Sequence, residues 1–162
     1  MLSFFLNNWT RKVAIPEKVK EEVLAGSGSD RPLIAKLIQD GRINVLRVKD
    51  RKLLRRLMED FNIDEGEAET LMLAIQEKAS RVATDDKNAI NACKILNLEF
   101  TTAIGILVRA CEKGLIQPVE AFVKLQKLQS FARYNETIIE TARNQIGGAV
   151  KNGKKDDKHP NG

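Results

Sequence analysis

Arg81-Val-Ala-Thr-Asp-Asp86 carries a short apolar strand, Val82 to Thr84, directly into two adjacent carboxylates at the point where a helix is expected to begin. Asp85 or Asp86 is a natural N-cap for a helix starting at Lys87, because its side-chain oxygen can accept a first-turn N–H. A strand that passes straight into a helix is the opening of a βαβ unit, and in an open α/β sheet ligands gather beyond the carboxyl ends of the strands. Acids at that place are therefore candidate metal ligands, and helix capping is their plain alternative.

On the N-terminal side, Asp64-Glu-Gly-Glu67 begins a helix whose Ala68, Leu71, Met72, Ile75 and Ala79 share one face. Asp64 and Glu67 also have the spacing of a capping box. On the C-terminal side, Lys87 to Leu96 is expected to be helical and Leu98-Glu-Phe100 to be a fourth short strand. Earlier in the chain, Val13-Ala-Ile15 is an apolar run closed by Pro16, which suits the first turn of a helix. Val19 and Val23 share a face of that helix. At about 100° per residue Glu22 projects beside this face and Glu21 almost opposite it.

Gly26-Ser-Gly-Ser-Asp30 is a linker, Asp30 to Gln39 a helix ended by Gly41, and Ile43-Asn-Val-Leu46 a second strand before a basic helix from Asp50 to Leu57. Strands alternating with helices predict parallel βαβ units. After Thr102 the pattern is helical only. Ala103, Ile106, Leu107 and Ala110 form one stripe, and further helices are expected over Val119 to Leu128 and Asn135 to Ile146, with Gly147-Gly148 as the stop. The polar, Gly- and Lys-rich remainder is expected to be disordered.

With 162 residues, 43% apolar and 30% charged, the chain suits one soluble domain with a core. Its single histidine, His159, lies in the polar tail, which removes the main residue of a Ser/His/Asp triad, a histidine base or a His-rich zinc site. Cys93 and Cys111 fall in apolar helical patterns without C-x-x-C spacing and are expected to be buried thiols of a cytoplasmic protein. No run approaches the roughly 18 apolar residues of a membrane span. The net charge of +5 is uneven: residues 1–60 hold 13 Lys/Arg against 8 Asp/Glu. Arg47, Lys49, Arg51, Lys52, Arg55 and Arg56 form the densest cluster, suited to nucleic-acid phosphates and equally to the solvated face of a helix.

Mg²⁺ and Mn²⁺ take hard oxygen ligands, and a phosphodiester hydrolase using them needs carboxylates converging from separate elements. Glu22, Glu67, Asp85 and Asp86 are the candidates, with Asn88 as a neutral oxygen ligand. Each also has a structural explanation in capping or in flanking a buried stripe.

Four segments then resemble PIN domains in order and spacing over residues 2–128: Ile15-Pro-Glu-Lys-Val-Lys-Glu-Glu-Val23; Asp64-Glu-Gly-Glu-Ala-Glu-Thr-Leu-Met-Leu-Ala74; Val82-Ala-Thr-Asp-Asp-Lys87; and Phe100-Thr-Thr-Ala-Ile-Gly-Ile-Leu107 with Glu112-Lys-Gly-Leu-Ile116. The likeness is greatest to an uncharacterised prokaryotic PIN-domain subfamily. It implies an α/β fold, a three-layer α/β/α domain with a mostly parallel sheet of about four strands plus C-terminal helices. The implied divisions are a PIN-like domain over 1–128, a helical extension over 129–148 and a polar tail over 149–162.

It also implies a ribonuclease dependent on Mg²⁺ or Mn²⁺, of the kind often found as the toxin of a toxin–antitoxin pair. Glu22, Glu67 and Asp86 would be its catalytic acids and metal ligands, Asp85 a near-equal candidate, and Asn88 would stand where many members have a further acid. Single-stranded RNA, an antitoxin-like protein and a second copy of the chain are the implied partners. PIN domains open with an apolar strand ending in Asp, and Met1-Leu-Ser-Phe-Phe-Leu6 resembles the segment that comes just after that strand. The domain is therefore expected to be N-terminally incomplete, through a late start or degeneration. Thr102-Ala103 also departs from the Gly-Thr of relatives. The alternative reading is a catalytically incomplete module that binds nucleic acid or a protein.

Overall fold

The apolar run before Pro16 becomes strand β1 (Val13–Pro16), and the proline, which cannot donate an N–H, hands the chain to helix α1 (Glu17–Ala25). The structure, a computed structural model, describes residues 12–131 and 134–153. The expected opening at Met1 to Leu6, and the tail from residue 154 with His159, lie outside the described residues.

Helix α2 (Arg31–Gln39) follows the Gly/Ser linker, and strand β2 (Ile43–Leu46) lies parallel to β1, in the register Val13↔Ile43 to Pro16↔Leu46. Helix α3 (Arg51–Phe61) turns Leu54 and Leu57 inward and its arginines and lysine outward, and Asp50 caps it by accepting from Lys52 N and Leu53 N. Helix α4 (Glu65–Gln76) differs from the other helices. Gly66, Ala68, Glu69, Leu71, Met72, Leu73 and Ala74 are all buried, so it is enclosed on nearly every side. Burial of a side chain such as Leu71, 1% exposed, contributes roughly 1.5–3 kcal/mol.

Strand β3 (Val82–Ala83) pairs in parallel with β4 (Phe100–Thr101) across helix α5 (Lys87–Ile95). Val82 N donates to Glu99 O and Thr84 N to Thr101 O. Ala68, Ala89 and Ala92, all essentially inaccessible, let α4 and α5 pack closely around Leu71, Met72, Val82 and Cys93. A second cluster joins Leu37 and Ile43 with Val13, Ile15 and Ile34.

Of the described residues, those up to 101 form one compact unit and those from 102 a second. The second unit is helical: α6 (Ala103–Glu112), α7 (Pro118–Phe131) and α8 (Glu136–Gly153) pack on one another, with Leu107, Ala121, Leu125, Ala142 and Ile146 buried. Thr102 caps α6 by accepting from Gly105 N.

The α/β class, the four strands and their parallel sense agree with the expectation from the sequence. Among the described residues the strands hydrogen-bond as two separate pairs, β1 with β2 and β3 with β4, rather than as one run of four. Several boundaries move, the end of α7 among them, at Phe131 rather than Leu128. The basic helix continues four residues past Leu57 to Phe61, and α4 stops at Gln76, before Ala79, with Lys78 in a left-handed conformation. The fourth strand begins at Phe100 rather than Leu98. The last helix passes through Gly147 and Gly148 to Gly153, so that pair is no stop and residues 149–153 are helical rather than disordered. A helical glycine costs only about 1 kcal/mol relative to alanine, which is too little to end a helix anchored by Ile139, Ala142 and Ile146. Cys93 and Cys111 are buried free thiols, and burial raises the pKa of both.

Candidate functional site

At the end of β3 the chain makes a short turn held by its own side chains. Thr84 Oγ1 accepts from Asp86 N at 3.2 Å, and Asp86 Oδ1 accepts from Ala89 N at 2.7 Å, so Asp86 is the N-cap of α5. The first turn of α4 is closed in the same way. Asp64 Oδ1 accepts from Glu67 N at 2.9 Å and Glu67 Oε2 from Asp64 N at 3.2 Å, completing the capping box.

Between these two helix starts lies a cavity of about 200 Å³, with Glu22, Asp64, Glu67, Thr70 and Thr84 as its polar lining and Val19, Leu71 and Val82 among its apolar walls. Glu22 arrives from α1, on the turn that its angle to Val19 predicted. Its carboxylate lies against Gly66: a β-carbon there would stand 2.9 Å from Oε2, 3.1 Å from Oε1 and 3.4 Å from Asp64 Oδ1. Only glycine leaves that approach open.

The electrostatics follow from the crowding. Glu67 is pushed up from its ordinary 4.5 to about 7, first by loss of water, then by the hydrogen bond and negative charge of Asp64, with a further contribution from Asp86. Asp64 moves the other way, because the side chain and backbone N–H of Glu67 donate to it. At pH 7, close to its own pKa, Glu67 is about half protonated, while Asp64 is ionised.

Of the acids expected from the sequence, Glu22 and Glu67 line the cavity. Asp86 stands beside it, near enough for its charge to act on Glu67, and Asp85 is exposed and outside the lining. Asn88 also lies outside it, and its Nδ2 donates to Asn62 O at 2.9 Å. Within the basic cluster, Arg47 is held by Glu17 at 2.8 Å, and Arg51 by Glu69 at 2.7 Å and Glu65 at 3.5 Å. Lys49, Lys52, Arg55 and Arg56 are exposed and form no ion pair among the described residues. Arg51 and Arg55 border a second cavity of about 410 Å³ with Leu54, Met58 and Glu65.

Asp64 also lines the cavity, and Glu69 on the same helix is buried outside that lining, although the sequence signal of each points elsewhere. Asp64 reads as a cap only, yet an N-cap acid and the residue at N3 point to the same side of a helix start. Glu69 carries a signal of a different kind, an acid set among Ala68, Leu71, Met72 and Leu73 in a helix apolar on nearly all sides; such an acid must find a partner.

The donor chemistry suits a hard divalent cation, with carboxylates from two helices lining one cavity and a carboxyl whose pKa is raised first by burial and then by the hydrogen bond and charge of Asp64. Among the described residues, however, no group of three or more His, Cys, Asp or Glu side chains is arranged to hold a metal ion. The acids face a common space without closing on a common point.

A family model described as a PIN domain matches residues 3–147, most of the chain. No curated protein and no solved structure matches it.

Proposed function

Since the chain belongs to the PIN-domain family, a family of nucleases, we propose that it is a divalent-metal-dependent ribonuclease acting on single-stranded RNA. One observation carries this reading: Glu22, Asp64 and Glu67, the first from α1 and the others from the start of α4, line a single cavity at the end of β3, where burial and the neighbouring Asp64 raise the pKa of Glu67 to about 7.

Glu22, Asp64 and Glu67 face the space that Mg²⁺ or Mn²⁺ would enter and would have to close on the cation to hold it, with Asp86, Asp85 or Asn88 assisting through water. Such a cation supplies Lewis-acid polarisation of the phosphodiester and a more acidic water at neutral pH. The chain's own residues do the rest. Thr84, whose Oγ1 accepts from Asp86 N and so keeps its own proton to donate, offers a hydroxyl to a phosphate oxygen at the cavity wall. Lys49, Lys52, Arg55 and Arg56 have no competing ion pair among the described residues and would carry the phosphates of the flanking strand, a role less suited to Arg47 and Arg51, which are already paired.

The test is cleavage of single-stranded RNA with Mn²⁺ present or chelated. Cleavage should require the metal, disappear in Glu67→Gln and Asp86→Asn, and persist in Glu21→Gln, whose side chain lies outside the cavity lining. Metal-independent RNA binding without cleavage would instead establish the second reading, a non-catalytic module. That reading is favoured by the engagement of Asp64, Glu67 and Asp86 in helix capping.

The finer placement as the toxin of a toxin–antitoxin pair rests on α7, which exposes Val119, Phe122 and Val123 on one face, an apolar surface that an antitoxin-like protein would cover. Co-expression with such a partner should raise the soluble yield. A concentration-dependent dimer of the chain alone would assign that face to a second copy. No helix among the described residues is long and apolar enough to cross a membrane.

A further inference from the structure

Helix α1 carries a cavity acid and yet has few anchors of its own. None of its residues is buried, and Pro16 at its N-cap has no side-chain oxygen to offer the first-turn N–H groups. The missing cap comes from a different helix. Oε2 of Glu69 accepts from Lys18 N at 3.2 Å, across 51 residues of sequence.

Glu69 is 3% exposed and is the buried charged residue among the described residues. Its other oxygen, Oε1, takes Arg51 Nη1 at 2.7 Å, so both oxygens are satisfied. Glu65 closes the group, 3.5 Å from Lys18 Nζ and 3.5 Å from Arg51 Nη1. Lys18 and Glu22 stand one turn apart on the same face of α1. Glu65 and Glu69 stand one turn apart on α4, next to the Gly66 that receives the Glu22 carboxylate. Fixing Lys18 against α4 therefore fixes where Glu22 falls.

We propose that Glu69 is a positioning residue: by capping α1 from α4, with Arg51 as its counter-ion, it holds the turn that presents Glu22 to the cavity. This rests on the reading of that cavity as a cation site. It also gives Arg51 a task within the fold instead of at the RNA surface. The Lys18 tether acts on Glu22 through the backbone of α1, so its loss weakens the cavity's hold on a cation while every carboxylate lining it remains.

The experiment compares Glu69→Ala and Glu69→Gln in the full chain, reading Mn²⁺ affinity from the electron paramagnetic resonance of free Mn²⁺ and amide hydrogen exchange across the described helices. Glu69→Ala should lower Mn²⁺ affinity and speed exchange within α1 by about tenfold each, the size of a lost helix cap. Glu69→Gln keeps an acceptor for Lys18 N and should recover most of both. In a Glu22→Gln background, Glu69→Ala should have no further effect on Mn²⁺ affinity, an interaction that a general loss of stability would not produce. Unchanged exchange in α1, or an equal loss of affinity with and without Glu22, overturns the proposal. If the parent chain binds no Mn²⁺, the ribonuclease reading falls, and exchange confined to α1 still decides the role of Glu69. Should Glu69→Ala not fold, Glu69→Met, of matching volume, takes its place with the same outcomes.

Discussion

Glu67→Gln is expected to stabilise the folded protein above neutral pH while abolishing its activity. In the unfolded chain Glu67 ionises near 4.5, and in the folded protein near 7. Between those values the native state holds a proton that the unfolded chain has released. Stability from this group is therefore complete below pH 4.5 and is lost as pH rises through 7. For a fully desolvated carboxyl, at about 1.4 kcal/mol per pH unit, the loss from pH 5 to pH 8 would be roughly 3 kcal/mol. Glu67 is only half-buried, and screening by solvent reduces this to about 1 kcal/mol.

Glutamine cannot ionise, but it still accepts from Asp64 N and so preserves the capping box. Relative to wild type, the variant should gain about 1 kcal/mol between pH 5 and pH 8. Asp64, lowered from 3.8, is ionised across that whole range and adds nothing to the difference. The assay is urea unfolding followed by far-ultraviolet circular dichroism at both pH values. An identical stability difference at pH 5 and pH 8 would refute the reasoning, since it would mean that Glu67 ionises as easily in the folded protein as out of it. A residue whose removal strengthens the fold and abolishes turnover is held there for function.

Gly66→Ala places a β-carbon 2.9 Å from Glu22 Oε2; calorimetry with Mn²⁺ should show about a tenfold loss of affinity, whereas the gain in helix propensity of up to about 1 kcal/mol keeps the unfolding midpoint level or higher. Asp86→Ala removes the cap of α5 and should lower unfolding free energy by about 1 kcal/mol, whereas Asp86→Asn keeps an acceptor for Ala89 N and should stay within a few tenths; RNA cleavage should be lost in both, so that stability and activity separate in the asparagine variant. Gly147→Ala has open space around its β-carbon and sits inside α8, so thermal unfolding should show a gain of about 0.5–1 kcal/mol; a loss would mean that the helix ends there after all.

Much of the fold is legible because its signals are local. Pro16 marks a helix start by its fixed φ, Asp64 with Glu67 and Asp86 mark others through bonds that span no more than a few residues, and the strand at Ile43 to Leu46 is an apolar-rich stretch with β-branched Ile43 and Val45. The boundaries at Gly147-Gly148 and at Leu98 mislead for one shared reason. Intrinsic preference points one way there, and packing in one case and strand pairing in the other override it.

The cavity is half legible. Glu22 can be placed by its angle to Val19, and Glu67 by its position at a helix start. Helical geometry and capping chemistry act within a turn or two, so the α/β class, the order of the elements and the candidate acids can all be read from the chain as written. Long-range packing alone brings Glu22 to Gly66 across 44 residues, draws Asp64 into the same cavity, and lets Glu69 cap a helix 51 residues away while occupying Arg51. Those contacts depend on how two helices lie together, and that is set by the packing of the whole core, which no short stretch of sequence records.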